Sequence, residues 1–163
     1  MQINTVSTVN ATPTSTPAPD DGQPITSSRF WPDILPSHFR AAMRYDGTVT
    51  TARLRGALVE AIAAVNGELA GWRMVKIAGG ALRLADIEAE QIDDESVLVQ
   101  RWRRAVYATA AADLAERYRA FDATGAARQR ADDLDDTADQ LRADARAALR
   151  ALMGVGRCTV ELI

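Results

Sequence analysis

Histidine and cysteine are almost missing from this chain: its 163 residues hold one of each, His38 and Cys158. Most zinc and haem centres draw on several such ligands, so the supply alone excludes them. A single cysteine also excludes an internal disulfide, and nothing calls for an oxidising compartment. Lysine is equally scarce, Lys76 standing alone among 19 basic residues that are otherwise arginine. No apolar run approaches the roughly 20 residues that a membrane-spanning helix needs. A basic excess is lacking too, since 22 acidic residues leave a net charge of −3, which argues against a protein gripping nucleic acid over a broad face. Met1-Gln2-Ile3-Asn4 has neither the basic nor the apolar part of a secretory signal. The expectation is a soluble cytoplasmic chain of one domain, poor in catalytic groups.

What is present reads from the N-terminus as three parts. Residues 1–28 are rich in Thr, Ser, Pro and Ala, with little apolar surface to offset the entropy of ordering, and are expected to be a disordered arm. Order is expected to begin at Arg29-Phe30-Trp31-Pro32-Asp33-Ile34, where the prolines hold the backbone extended and Phe30, Trp31 and Ile34 serve as anchors. A short helix follows from Pro36 or Ser37, with Phe39, Ala42 and Met43 on one face. Thr50 caps the next. There Leu54, Leu58, Ala61, Ile62, Val65, Leu69 and Trp72 recur at helical spacing, with Gly67 and Gly71 marking close packing or a bend and Gly79-Gly80 the end. Residues 81–92 fit a short strand or a single turn. Asp93, Asp94 or Glu95 is expected to open a third helix with the stripe Val99, Trp102, Val106, Ala110, Leu114, Tyr118 and Phe121. A fourth carries Leu134, Ala138, Leu141, Ala145, Leu149 and Leu152 and stops at Gly154 and Gly156. The fold class is all-α: a small bundle of three long helices plus a short leading helix over residues 29–154, with an extended C-terminal arm at 155–163.

Chemistry-bearing patterns are few. His38 has no orienting carboxylate at helical spacing and reads as a surface residue. Cys158 has no neighbour to make a thiolate. Neither GxGxxG nor GxxxxGK[ST] occurs. Accordingly no enzyme, cofactor or metal site is expected. The acid run Asp132-Asp133, Asp135-Asp136, Asp139 and Asp144 lacks a calcium-loop pattern and reads as a solvated face or one that meets arginines. Arg101, Arg103 and Arg104 surround Trp102, an arrangement that can bind nucleic acid, but Trp102 lies on the core stripe. Pairing of arginine forks with Asp132, Asp133, Asp135 and Asp136 across a subunit boundary fits better. The tail Thr159-Val160-Glu161-Leu162-Ile163 has β-branched residues and alternation without an evident partner strand. It either adds to a sheet edge of another protein or folds back on its own helices, where residues 81–92 offer a pairing partner.

The combination of Phe30-Trp31-Pro32-Asp33-Ile34, Phe39-Arg40-Ala41-Ala42-Met43-Arg44, Asp46-Gly47-Thr48-Val49-Thr50 and Arg53-Leu54-Arg55 resembles the head completion proteins of contractile-tailed phages. The resemblance continues through Ala61 to Asn66, Glu68-Leu69, Trp72-Arg73, Glu95 to Val99, Arg103 to Tyr107 and Glu116 to Arg119, and ends at Thr159 to Ile163. It implies a head-tail connector in the virion neck, assembled in the host cytoplasm: a ring of copies, commonly twelvefold, on the portal after packaging. Such a ring stabilises the filled head, passes DNA through its lumen and offers a docking surface to tail terminator or neck proteins. With the resemblance, the orphan strand implies a portal contact through Arg157, Cys158, Thr159, Val160, Glu161, Leu162 and Ile163. The alternative from another class is an Arg-rich helical nucleic-acid-binding regulator.

Overall fold

The computed structural model describes residues 21–45, 49–121 and 128–155, with backbone alone for 118–121 and 128–137. Five helices and one two-stranded hairpin make up the described part. Helix α1 (Pro36–Met43) starts on a proline, whose missing N–H costs nothing at that position, and ends where Arg44 turns left-handed at φ 56°. Its Phe39 is fully buried and stacks edgewise on Tyr107 at 5.3 Å. Of the expected face, Met43 packs on the core while Ala42 is exposed.

Helix α2 (Thr51–Glu68) is capped as expected, the Thr50 hydroxyl accepting from the Arg53 N–H. The long helix expected from Leu54 to Trp72 is broken at Leu69, and a separate α3 (Ala70–Ala78) follows. Both glycines flank that break. A methyl group on either Gly67 or Gly71 would meet no atom within 4 Å, so neither marks close packing. Leu69 sits fully buried at the joint. Gly80, at φ 96°, closes α3 with a conformation that favours glycine.

Residues 81–92 contain both structures that the sequence left open. A 3-10 turn at Leu84–Asp86 buries Leu84, and β1 (Gln91–Ile92) pairs antiparallel with β2 (Glu95–Ser96). Asp93 and Asp94 form the turn between them, both with positive φ, as a two-residue hairpin loop requires. They therefore do not open the third helix. The Ser96 hydroxyl caps it instead, accepting from Leu98 N–H at 3.3 Å.

Helix α4 (Val97–Phe121) is the central element and α5 (Arg128–Met153) runs back along it. Val99, Trp102, Val106, Ala110 and Leu114 are buried as expected, and so are Ala105, Tyr107, Ala108, Ala111, Ala112 and Ala115. Alanine recurs there because α1, α2 and α5 all pack against α4. On α5, Ala138, Ala145, Ala148, Leu149 and Leu152 are buried. Gly154, at φ 75°, ends α5. The side chains of Tyr118, Phe121 and Leu134 lie outside the described residues.

The folded part begins before Arg29. Ile25 is buried and exchanges two backbone hydrogen bonds with Ile34, at 2.7 and 3.1 Å. Asp21 is buried as well, and its carboxylate binds Arg40 at 2.7 Å. Residues 21–28, assigned to the arm from composition, thus pack on the domain; residues 1–20 lie outside the described part.

Candidate interaction surfaces

The aromatic segment expected to anchor the chain does so internally. Phe30, Trp31 and Ile34 are all buried. Trp31 stacks on Trp102 with centroids 5.6 Å apart, and Phe30 meets Trp31 edgewise at 4.8 Å and Trp72 at 6.5 Å. The Arg73 guanidinium lies 5.6 Å from the Phe30 ring. Arg55 of α2 donates to the carbonyls of Gln23 and Pro24, and Arg40 also donates to Val49. Residues 21–35 form a strap held on the helices at both ends.

The run Arg101-Trp102-Arg103-Arg104 divides among three tasks, because successive helical positions point in different directions. Trp102 is fully buried, its indole N–H donating to Asn66 Oδ1 at 3.0 Å, so it offers no face for stacking on bases. Arg103 binds both oxygens of Glu95, at 2.6 and 2.8 Å, and this hydrogen bonding holds its pKa above the ordinary value. That fork is satisfied within the chain. Arg101 donates to the Ala151 carbonyl at 2.8 Å, tying α4 to the last turn of α5. Arg104 is 68% exposed and stands 3.6 Å from Asp144, longer than a bonded pair. Only Arg101 and Arg104 of the expected inter-subunit arginines face outward.

On the acidic side, Asp132, Asp133, Asp135 and Asp136 fall on α5 where only the backbone is described. Asp139 pairs with Arg142, which also binds Glu116 of α4; these partners raise the Arg142 pKa, Glu116 foremost. Both pairs are exposed, so each contributes little to stability. His38 lies on the exposed side of α1. Among the described residues no group of His, Cys, Asp or Glu could hold a metal ion, and no helix is long and apolar enough to cross a membrane. Residues Arg157–Ile163, Cys158 included, lie outside the described part.

Two features escaped the sequence reading. The outer side of α3 exposes Met74 (67%), Val75 (69%) and Ile77, and Leu82 (79%) follows it. Reading α2 and α3 as one helix hid this face, because only the break at Leu69 turns it outward. The other feature is a pair of grooves along α4 and α5. One, of about 320 Å³, is walled by Met43 of α1, Tyr107 and Ala108 of α4 and Leu141 of α5. The next, of about 340 Å³, is walled by Arg101, Ala147, Ala151 and Val155. Both share Arg104 and Asp144.

Comparison with known proteins bears on these surfaces. The profile described as phage head completion protein (GPL) matches residues 25–163. The chain is also 43% identical, over 148 residues, to the head completion/stabilization protein of Escherichia phage P2, covering 90% of this chain and 88% of that one. No solved structure matches.

Proposed function

This chain belongs to the phage head completion protein family, and from that premise we propose that it is a connector of the virion neck. Copies assemble as a ring, commonly twelvefold, on the portal after DNA packaging, keep the filled head closed and give tail terminator or neck proteins their docking surface. The carrying observation is the family match itself, which runs from Ile25 of the buried strap to Ile163, past the end of α5. A connector works through shape and repeated weak contacts, which multiply in a closed ring, and it needs no reactive centre. The net charge of −3 suits a lumen through which a duplex slides without sticking.

Within the ring, the outward Arg101 and Arg104 of one copy face the acid run Asp132, Asp133, Asp135 and Asp136 of the next. Arg103 takes no part, being bound to Glu95. The portal contact is made by residues 157–163 as an added strand: main-chain bonds give the affinity, and Val160 and Leu162, two apart, present one apolar face.

Co-sedimentation with purified portal rings tests this reading, using the full chain and a chain ending at Gly156. Binding by the full chain that is lost on truncation is the expected result. Binding that survives truncation moves the contact to the helices. If neither form sediments with the rings, the connector reading fails. Asp135→Arg with Asp136→Arg should weaken assembly on the portal, and an unchanged ring would remove the charge-pairing account of the subunit boundary.

A further inference from the structure

The two grooves on α4 and α5 form one track that starts where the described chain stops. Val155, 56% exposed, is itself a wall of the first groove, beside Arg101 and Arg104. The Arg104–Asp144 pair belongs to both grooves, and beyond it lies the second, whose walls Met43, Tyr107 and Leu141 are mainly apolar. From Arg101 to Ala108 the track follows seven residues of helix, about 10 Å. Eight residues follow Val155, and five of them reach about 17 Å when extended.

We propose that in the free protein the segment Arg157–Ile163 lies along this track on its own helices, with Val160 and Leu162 seated in the groove between Met43, Tyr107 and Leu141. The period of an extended strand puts these two side chains on one face and Glu161 on the other, at the level of the rim. Charge agrees with that placement. Arg101, Arg104 and Arg150 line the track against the single carboxylate of Asp144, and the 3.6 Å spacing of Arg104 from Asp144 leaves its guanidinium able to take Glu161. Volume agrees as well: about 320 Å³ falls at the lower end of grooves that enclose a small ligand and suits two aliphatic side chains. The occupant is this segment and not a second copy because the track begins at Val155, from which the segment itself continues. The inference goes beyond the connector reading and concerns the chain before it meets a portal. Apolar side chains destined for a partner are covered until then.

Methionine methyl NMR on the isolated protein tests it, since Met43 lines the groove, Met74 belongs to α3, which contributes no wall to it, and Met153 reports on the end of α5. Truncation after Gly156 should move the Met43 methyl resonance and leave Met74 in place. A synthetic peptide of residues 157–163, titrated into the truncated chain, should return Met43 saturably to its full-length position. Leu162→Glu in the full chain should reproduce the truncated spectrum. Three results overturn the proposal: a Met43 resonance unmoved by truncation, movement of Met153 alone, or a full-length Met43 position that reverts on dilution together with dissociation of a dimer. The last would make the occupant a neighbouring copy. No portal is present, so failure here leaves the connector reading standing, and failure of the portal assay leaves this one.

Discussion

The indole of Trp31 lies face to face on that of Trp102, centroids 5.6 Å apart and planes 10° from parallel. One ring comes from the strap and the other from the central helix, so this contact closes the fold across 71 residues of chain. The two rings differ in their polar edges. The Trp102 N–H is bonded to Asn66 Oδ1, whereas the Trp31 N–H is buried with no partner. Replacing Trp31 by Phe removes area together with an unsatisfied donor. Replacing Trp102 by Phe removes area and strands Asn66. Trp102→Phe should therefore cost about 1 kcal/mol more than Trp31→Phe, the net worth of one hydrogen bond. Urea unfolding of both variants measures the difference, and equal costs would contradict the assignment of the polar edges.

The strap's first residue is held by charge. Asp21 binds Arg40, whose other nitrogen donates to the Val49 carbonyl, and the Asp21 carbonyl accepts from Ser37. Asp21→Ala should cost about 2 kcal/mol, as a charged hydrogen bond does when one partner is lost. Amide exchange reads this locally. The Ile25 and Ile34 amides, bonded to one another's carbonyls, should lose about thirtyfold in protection, while amides of α4 change less. Unchanged exchange at Ile25 would show that the aromatic contacts alone hold the strap.

Two glycines invite opposite outcomes. Gly67 sits in the last turn of α2 with open space where a side chain would go. Gly67→Ala should stabilise by about 0.5 kcal/mol, because it narrows the unfolded ensemble without a clash. Gly154 holds φ at 75°, where a β-carbon is strained, and Gly154→Ala should destabilise by about 1 kcal/mol. Thermal melts of the two variants should move in opposite directions. Destabilisation by Gly67→Ala would instead mean that the bend at Leu69 needs a glycine.

The helices were legible because their evidence is local. Thr50, Pro36, Gly79 and Gly154 mark ends by backbone chemistry, and the stripes from Leu54 and Val99 repeat at helical spacing. The break at Leu69 was not legible, since the apolar stripe runs on through it. The hairpin turn was missed because Asp93 and Asp94 read equally well as acids opening a helix, and only the left-handed backbone tells the roles apart. Composition assigned residues 21–28 to an arm, but their hold on the domain comes from Arg40 and Arg55, 19 and 32 residues away from their partners Asp21 and Gln23. For the same reason the pairing of Arg103 with Glu95 was invisible, since no helical spacing joins them. Family-level function was legible from a scattered set of residues that no single motif carries.

Tyr107 gives the fold a dependence on alkaline pH. It is buried beside Phe39, and burial, which disfavours the phenolate, pushes its pKa above the ordinary value of 10.0, with Arg103 opposing and Glu95 assisting. The unfolded chain releases this proton near its ordinary value, while the folded chain keeps it to higher pH. Above that ordinary value the folded state binds more protons, so stability falls as pH rises. The contribution is complete below the unfolded pKa and is lost as pH climbs through the raised folded one. Tyr107→Phe abolishes this response, since Phe has no proton to lose. Between pH 8 and pH 10.5, both chosen as roughly bracketing the ordinary tyrosine value, the urea midpoint of the natural chain should fall further than that of the variant. Every other titratable group is the same in the two chains and cancels in the comparison. Parallel declines would mean that water reaches the Tyr107 hydroxyl in solution, along the groove it shares with Met43 and Leu141.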